Sequence, residues 1–162
     1  MKDYFIADLH FGHQNIIQYG ARPFNDIEQM NTTLIKNWNE TVKKTDRVFV
    51  LGDFSLGPKE NINLFSYQLN GRIILIKGNH ERSNNQLYLN SNFIEVYSFP
   101  IFYKNKFILS HKPIEKLPNG LINIHGHIHQ SNYGDNQHIC VSVEHTNYRP
   151  ISFKKLIKNM GM

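Results

Sequence analysis

Acidic, amide and histidine side chains occur in five short clusters along this sequence. The clusters are Asp8-Leu9-His10, Gly52-Asp53, Gly78-Asn79-His80-Glu81, Ser110-His111 and Gly126-His127-Ile128-His129. Carboxylate, amide and imidazole groups bind divalent cations, so the natural chemistry of such clusters is metal coordination. The sequence holds 9 histidines, and their grouping favours metal binding over scattered structural roles.

The spacing inside two of the clusters places groups that can bind a metal on the same side of the chain. In an extended chain, residues two apart point to the same side, so Asp8 and His10 can meet one ion, and His127 and His129 can be two ligands on one face. Each cluster alone also has an ordinary interpretation, because Asp-x-His arises by chance and a lone histidine such as His111 is more often structural. The conjunction of five clusters in one order, each after its own apolar run, favours a functional site.

Apolar runs of strand length precede the clusters and predict the elements that position them. Residues 4–7, 48–51 and 73–76 have the character of buried strands. Helical patterns over about residues 25–42 and 59–69 separate them, which predicts an alternation of strands and helices in the first half. Ligands of open α/β sheets bind outside the carboxyl ends of the strands, so we expect the clusters to meet at one edge.

The second half of the chain has a different pattern of shorter elements. The connection Lys104-Asn105 is typical of a hairpin and predicts antiparallel pairing in this half. The predicted strands cover residues 94–103, 106–110, 121–125 and 138–143, and a short helix is predicted from 152 to about 159.

Length and composition limit the class of protein. A chain of 162 residues fits one domain, which we expect to span residues 1–162. Hydrophobic residues make up 40% of the sequence, which argues against disorder. The single cysteine, Cys140, allows no intramolecular disulfide, and neither a signal peptide nor an apolar run of membrane-spanning length is evident. We therefore expect a soluble, cytoplasmic protein without a membrane partner.

Together the five clusters resemble the pattern of the calcineurin-like metallophosphoesterase family: D-x-H, G-D, G-N-H-[DE], a lone H and G-H-x-H. All five blocks are present without substitution between Asp8 and His129. The resemblance implies an α/β fold, a four-layer α/β/β/α sandwich, with two divalent metal ions at a loop-lined edge. The implied ligands of one ion are Asp8, His10, Asp53 and His129, and those of the other are Asp53, Asn79, His111 and His127.

The resemblance also implies a mechanism, in which a hydroxide that bridges the two ions attacks phosphorus. His80 resembles the catalytic histidine of the family, which is not a ligand and acts on the leaving oxygen. The stretch Asp-Leu-His-Phe-Gly-His-Gln-Asn is similar to a small bacterial and bacteriophage branch, in which His13 and Arg22 would line the substrate entrance; a structural role for Arg22 is an equal alternative. Ligation without thiolate suits Mn, with Fe, Ni, Co or Zn as alternatives.

Two missing arginines bear on the substrate. Protein phosphatases of the superfamily carry one arginine after G-D and another before G-N-H-E, whereas this chain has Phe54-Ser55-Leu56 and Ile76-Lys77 there. We therefore expect a phosphodiesterase that acts on small phosphodiesters or nucleotides. The alternatives are a phosphomonoesterase, a nuclease on single-stranded nucleic acid, which the net charge of +5 favours weakly, and a non-catalytic metal-binding scaffold. The sequence leaves the oligomeric state open.

Overall fold

The computed structural model describes residues 1–161, which form two β-sheets and five helices. The strands are β1 (Asp3–Ile6), β2 (Arg47–Leu51), β3 (Arg72–Ile76), β4 (Phe93–Tyr97), β5 (Ile101–Tyr103), β6 (Phe107–Leu109), β7 (Ile122–His125), β8 (His138–Cys140) and β9 (Ile151–Ser152). The helices are α1 (Ile16–Tyr19), α2 (Ile27–Thr41), α3 (Glu60–Ser66), α4 (Asn85–Leu89) and α5 (Phe153–Asn159).

The first sheet has the strand order β4-β3-β2-β1-β9, in which β1 to β4 are parallel and β9 is antiparallel to β1. Its central strands are short apolar runs with both faces buried, the pattern from which they were predicted. The parallel arrangement places the carboxyl ends of β1, β2 and β3 side by side. The loops that follow these three strands carry the first three polar clusters.

Helix α2 covers the outer face of this sheet. Its N-cap is Asp26, whose side chain accepts a hydrogen bond of 2.8 Å from the backbone N–H of Gln29. Met30, Leu34 and Trp38 lie one helical turn apart and are buried in the core between the helix and the sheet. Among residues 1–161, no helix is both long enough and apolar enough to cross a membrane.

The second sheet has the order β5-β6-β7-β8 and corrects one sequence prediction. Strands β5 and β6 form the expected antiparallel hairpin, but β6, β7 and β8 are mutually parallel. The predicted antiparallel pairing was therefore wrong for these three strands. Residues 110–121 and 126–137 return the chain to the start of each next strand, and their irregular backbone has no periodic pattern from which the crossover could be predicted.

The predicted strand 94–103 is two strands in different sheets. The chain leaves the first sheet after β4, passes through residues 98–100 and enters the second sheet at β5. Aromatic side chains fill the space between the sheets, where Phe5 stacks on Phe49 and meets the edge of Tyr103. The α/β fold with two packed sheets and flanking helices is confirmed.

A second connection joins the sheets beside the polar clusters. After β8, residues 141–143 leave the second sheet and run next to the end of β1. The N–H of Ala7 donates to the carbonyl of Val141 at 2.9 Å, and the N–H of Val143 donates to the carbonyl of Ala7 at 3.1 Å. These bonds hold the carboxyl end of β1 against the second sheet.

Candidate metal centre

One group of side chains consists of Asp8, His10 and His129, whose ligand atoms all lie within 4.8 Å of one another. Asp8 Oδ2 accepts hydrogen bonds from the N–H of His127 at 2.9 Å and from the hydroxyl of Ser142 at 2.6 Å. In the described part of the chain, Asp8 Oδ1 and His10 Nε2 are buried without a hydrogen-bond partner. A buried polar atom without a partner costs about 1–3 kcal/mol, a cost that a bound cation would remove.

A second group consists of Asp53, His111 and His127, again with ligand atoms within 4.8 Å of one another. His111 Nδ1 lies 2.9 Å from the carbonyl oxygen of Leu51 and, in the neutral ring, donates a proton to it. His111 Nε2 is then an acceptor, and it faces Asn79 Oδ1 at 2.9 Å. Two acceptors at this distance repel each other, and a cation between them would convert the repulsion into coordination.

Asp53 connects the two groups. Its Oδ2 atom lies 3.5 Å from Nε2 of His10 and 3.5 Å from Nε2 of His111. Its other oxygen, Oδ1, accepts a hydrogen bond of 3.1 Å from the backbone N–H of His80. A single carboxylate oxygen therefore stands between the two groups, the position expected of a ligand that two ions share.

The backbone at these ligands is unusual. Left-handed φ values, which are rare for residues other than glycine, occur at Asp8 (58°), His10 (52°), Asp53 (54°), His127 (72°) and His129 (48°). Glycines make room between the turns: a Cβ at Gly52 would collide with the ring of His111, and one at Gly126 would collide with the carboxylate of Asp8. The loops are thus folded to bring side chains together at the cost of local strain.

Glu81 fixes two of the loops to each other. Its Oε2 accepts hydrogen bonds from the N–H groups of Asp53 (2.8 Å) and Gly78 (2.6 Å), and its Oε1 accepts one from Phe54 (2.7 Å). Burial raises the pKa of the Glu81 carboxyl, and the charge of Asp53 adds to the rise. The side chain, to which the sequence analysis assigned no role, ties the ends of β2 and β3 together.

The protonation of two of the imidazoles, those of His10 and His127, suits metal ligation. Burial lowers the pKa of His10 to about 2, with a further contribution from the positive charge of Arg22. Burial also lowers the pKa of His127, and the neighbouring His111 adds to that effect. Neutral imidazole is the form that binds a metal. The types of donor atom, the unpartnered Asp8 Oδ1 and His10 Nε2, and the lowered pKa values of His10 and His127 fit the binding of divalent cations.

A family model described as calcineurin-like phosphoesterase matches residues 1–159. The chain belongs to the calcineurin-like phosphoesterase family. Membership in this family makes the chain a hydrolase of phosphoesters. Proteins of the family generally bind two divalent metals. The phosphoesterase is similar to the uncharacterized protein MJ1445 of Methanocaldococcus jannaschii, with 39% identity over 171 residues that cover 97% of this chain and 90% of the relative.

Two solved structures resemble the phosphoesterase. The protein of unknown function AQ665 from Aquifex aeolicus has a TM-score of 0.74 and 30% identity, with 98% of each chain covered. The nuclease MPE of Pseudomonas putida has a TM-score of 0.51 and 19% identity, and the match covers 78% of this chain and 60% of that one. At this identity the second likeness is evidence for the fold alone.

Arg22 and Glu144 lie beneath the metal centre of the phosphoesterase. The buried guanidinium of Arg22 donates to Glu144 Oε1 at 2.9 Å and to the carbonyl oxygens of Leu9 (3.0 Å) and Asp8 (2.6 Å). Glu144 Oε1 also lies 3.1 Å from Nδ1 of His129, an interaction that raises the pKa of this histidine. Arg22 is therefore buried underneath the loops, with its guanidinium bonded to Glu144 and to two backbone carbonyl groups.

Glu144 was missed in the sequence analysis. A carboxylate that accepts the Nδ1 proton of a ligating histidine fixes the tautomer and turns Nε2 towards the ion. Glu144 stands 15 residues after His129, beyond β8, and no motif or spacing connects the two. Only the folded chain brings them together.

His80 and His13 occupy the open side of the centre. Nε2 of His80 lies 3.8 Å from Oδ2 of Asp53, and the side chain is 29% exposed. A ring nitrogen of His80, a ring nitrogen of His10 and a carboxylate oxygen of Asp53 form a third set of candidate ligand atoms. Nδ1 of His13 lies 3.3 Å from Nδ1 of His10. Both histidines are near enough to reach a substrate held at the centre.

Proposed function

We propose that this phosphoesterase is a dinuclear-metal phosphodiesterase acting on small or nucleotide phosphodiesters. The observation that carries the proposal is the position of Asp53 Oδ2 between the two ligand groups. When bound, two divalent ions polarise the phosphoryl group and lower the pKa of coordinated water. The proposed ligands are Asp8, His10, Asp53 and His129 for one ion, and Asp53, Asn79, His111 and His127 for the other.

His80 has the proposed role of proton donor to the leaving oxygen. Its partial exposure and its distance of 3.8 Å from Asp53 Oδ2 allow it to contact both the centre and a substrate. The neighbouring His13 is proposed to contact the substrate at the same open side, since its ring lies 6.3 Å from that of His80. Arg22 is proposed to hold the loop of Asp8 in place.

The preference for diesters rests on the cations around the centre. The guanidinium of Arg22 is occupied by Glu144 and two carbonyl oxygens. The ammonium of Lys77 donates to the carbonyl of Ser83 at 2.8 Å and lies 3.3 Å from Asn85 Oδ1. Neither of these two cations is available to a substrate. The exposed Lys112 next to His111 adds one positive charge, which suits a monoanionic diester better than a dianionic monoester.

Kinetics on two arylphosphates test the preference. With Mn²⁺ supplied, bis(p-nitrophenyl) phosphate should be hydrolysed with a higher kcat/KM than p-nitrophenyl phosphate. The leaving group is the same, so the ratio reports the charge and size preferred at phosphorus. A monoester preference of about tenfold, or about 1.4 kcal/mol, would instead assign a phosphomonoesterase. The control is Asp53→Asn, which should lose both activities if they belong to this site.

A short single-stranded oligonucleotide tests the nuclease alternative. If its kcat/KM exceeds that of the aryl diester and its binding falls steeply with salt, the phosphoesterase is a nuclease.

We further propose that residues 1–162 form one cytoplasmic domain that uses Mn²⁺. The apolar core between the sheets supports a single domain, and the single cysteine, Cys140, suits a reducing compartment.

A further inference from the structure

A groove of about 360 Å³ begins at the metal centre and extends away from it. Asn79 and His111, two of the proposed ligands, line one end. Apolar side chains form part of the remaining lining, namely those of Phe99, Pro100, Pro113 and Ile114, together with Lys77, Ser98, Ser110 and Lys112. Phe99 is 78% exposed, so a large aromatic face is left in contact with water directly beside the catalytic edge.

Hydrogen bonds hold both walls in place. On one side, the N–H of Ile114 donates to Asn123 Oδ1 at 2.9 Å, and Asn123 Nδ2 donates to the carbonyl of Ile108 at 2.9 Å. On the other side, the N–H of Lys77 donates to the carbonyl of Tyr97 at 2.9 Å, immediately before residues 98–100. These bonds fix the backbone on both sides of the groove before any ligand arrives.

The charges around the groove favour an anionic ligand. Lys112 lines it next to His111, and its side chain is exposed. The lining residues include no carboxylate. A flat apolar wall beside a lysine and a metal centre is complementary to an aromatic ring that carries a phosphate, because stacking suits the ring and positive charge suits the phosphate.

We propose that this groove binds the nucleobase of a nucleotide whose phosphate lies at the metal centre. The inference rests on the proposed function and specifies its substrate as a nucleotide diester. Phe99 supplies the stacking face, and Lys112 supplies positive charge near the phosphate. Stacking on an aromatic side chain tolerates any base, so the groove selects nucleotides over simple alkyl diesters without reading a sequence.

Calorimetry on the Mn²⁺-loaded protein tests the groove without requiring turnover. Adenosine 5′-monophosphate and ribose 5-phosphate differ by the base, and the nucleotide should bind about tenfold more tightly, as expected for one stacked base. Phe99→Ala should reduce this difference to less than twofold and leave the affinity for ribose 5-phosphate unchanged. The matched control is Phe102→Ala, because Phe102 is 70% exposed but does not line the groove.

A charge variant separates the two parts of the site. Lys112→Gln should weaken the binding of both ligands and leave their ratio unchanged, since both carry the phosphate and only one carries the base. Manganese content of each variant, measured by elemental analysis, should equal that of the wild type. A changed ratio in Lys112→Gln, with the ratio of Phe99→Ala intact, would place the base elsewhere and overturn the proposal.

Other outcomes also overturn it. Equal affinity of the wild type for the two ligands, or no detectable binding of either, would show that the groove holds no base. If Phe99→Ala changes only the sedimentation coefficient, the aromatic face is covered by a second copy of the chain. If bis(p-nitrophenyl) phosphate is hydrolysed but the nucleotide binds no more tightly than ribose 5-phosphate, the groove proposal alone is wrong. If the nucleotide binds more tightly but no diester is hydrolysed, the phosphodiesterase proposal alone is wrong.

Discussion

At the scale of single residues, hydrogen bonds to the rings of His111 and His129 decide which nitrogen faces the centre. The carbonyl of Leu51 takes the Nδ1 proton of His111, and Glu144 takes that of His129. In both rings Nε2 is left to bind a metal. The ligand pattern visible in the sequence therefore does not include Leu51 and Glu144, whose hydrogen bonds orient two of the rings.

Glu144 should control metal affinity although it is not a ligand. We expect Glu144→Gln to weaken Mn²⁺ binding about 10–100-fold, because the amide no longer holds the Nδ1 proton of His129 as firmly. Titration followed by the paramagnetic resonance of free Mn²⁺ measures the change, which should affect one of two binding steps. The control is Glu40→Gln on the exposed face of α2, and equal affinities in the two variants would contradict the role.

His80 should be separable from the ligands. His80→Ala should keep both ions and lower kcat by roughly 10²-fold or more, the usual contribution of a general acid. The decrease in kcat should be smaller for a diester with a p-nitrophenolate leaving group than for a diester with a more basic leaving group, because the more basic oxygen depends more on protonation. Elemental analysis and kinetics on the two kinds of diester measure these effects, with His145→Ala as the control. Loss of an ion from His80→Ala would place His80 among the ligands.

At the scale of elements, parallel strands with short polar loops explain why the site forms where it does. Strands β1, β2 and β3 end at one edge, as do β6 and β7 of the second sheet. Glu81 then joins the loops after β2 and β3 by accepting hydrogen bonds from three backbone N–H groups, two of them buried and one partly buried. The positions of Asp53 and Asn79 depend on this tie.

Glu81→Ala should destabilise the metal-free protein by about 3 kcal/mol. Two buried donors and one partly buried donor lose their acceptor, and each loss costs about 1 kcal/mol. Urea unfolding of metal-free samples measures the difference. Glu115→Ala removes an exposed carboxylate and should change stability by less than about 0.5 kcal/mol. The tie is unimportant if the two variants unfold at the same urea concentration.

The elements also show which predictions a sequence supports. Strands β1, β2 and β3 were predictable because burial on both faces leaves an uninterrupted apolar run, and the helical spacing of Met30, Leu34 and Trp38 revealed α2. The parallel order of β6, β7 and β8 was not, since it depends on the path of irregular loops. The pairing of Glu144 with His129 likewise has no local signal.

At the scale of the whole molecule, the candidate centre lies across the two sheets. Asp8, Asp53 and Asn79 follow strands of the first sheet, whereas His111 and His127 follow strands of the second. Ions bound there would connect the sheets through coordination as well as through the apolar core. Metal binding and global stability should consequently be coupled.

Protein reconstituted with Mn²⁺ should hold two ions per chain, measured by elemental analysis after gel filtration. When the free Mn²⁺ concentration is 100 times the dissociation constant of a site, binding at that site adds about 2.7 kcal/mol to the free energy of unfolding. Chelation of the metal should therefore lower Tm. Asp53→Asn should be the most damaging conservative ligand change, because both groups share this carboxylate. A reproducible plateau at one ion or none would refute the two-metal centre.

The left-handed backbone at five of the proposed ligands should destabilise the folded protein when no metal is bound. At roughly 1 kcal/mol each, these residues cost an appreciable part of the 5–15 kcal/mol that stabilises a small domain. His127→Gly and His127→Ala both remove the imidazole. In urea unfolding, the glycine variant should have a free energy of unfolding about 1 kcal/mol higher than the alanine variant, because glycine adopts the left-handed backbone without strain. Equal stabilities would show that no strain is stored there. In a cell starved of metal, we expect the unstrained competitor, the unfolded chain, to be populated and degraded, so that the abundance of this phosphoesterase would follow the supply of its ion.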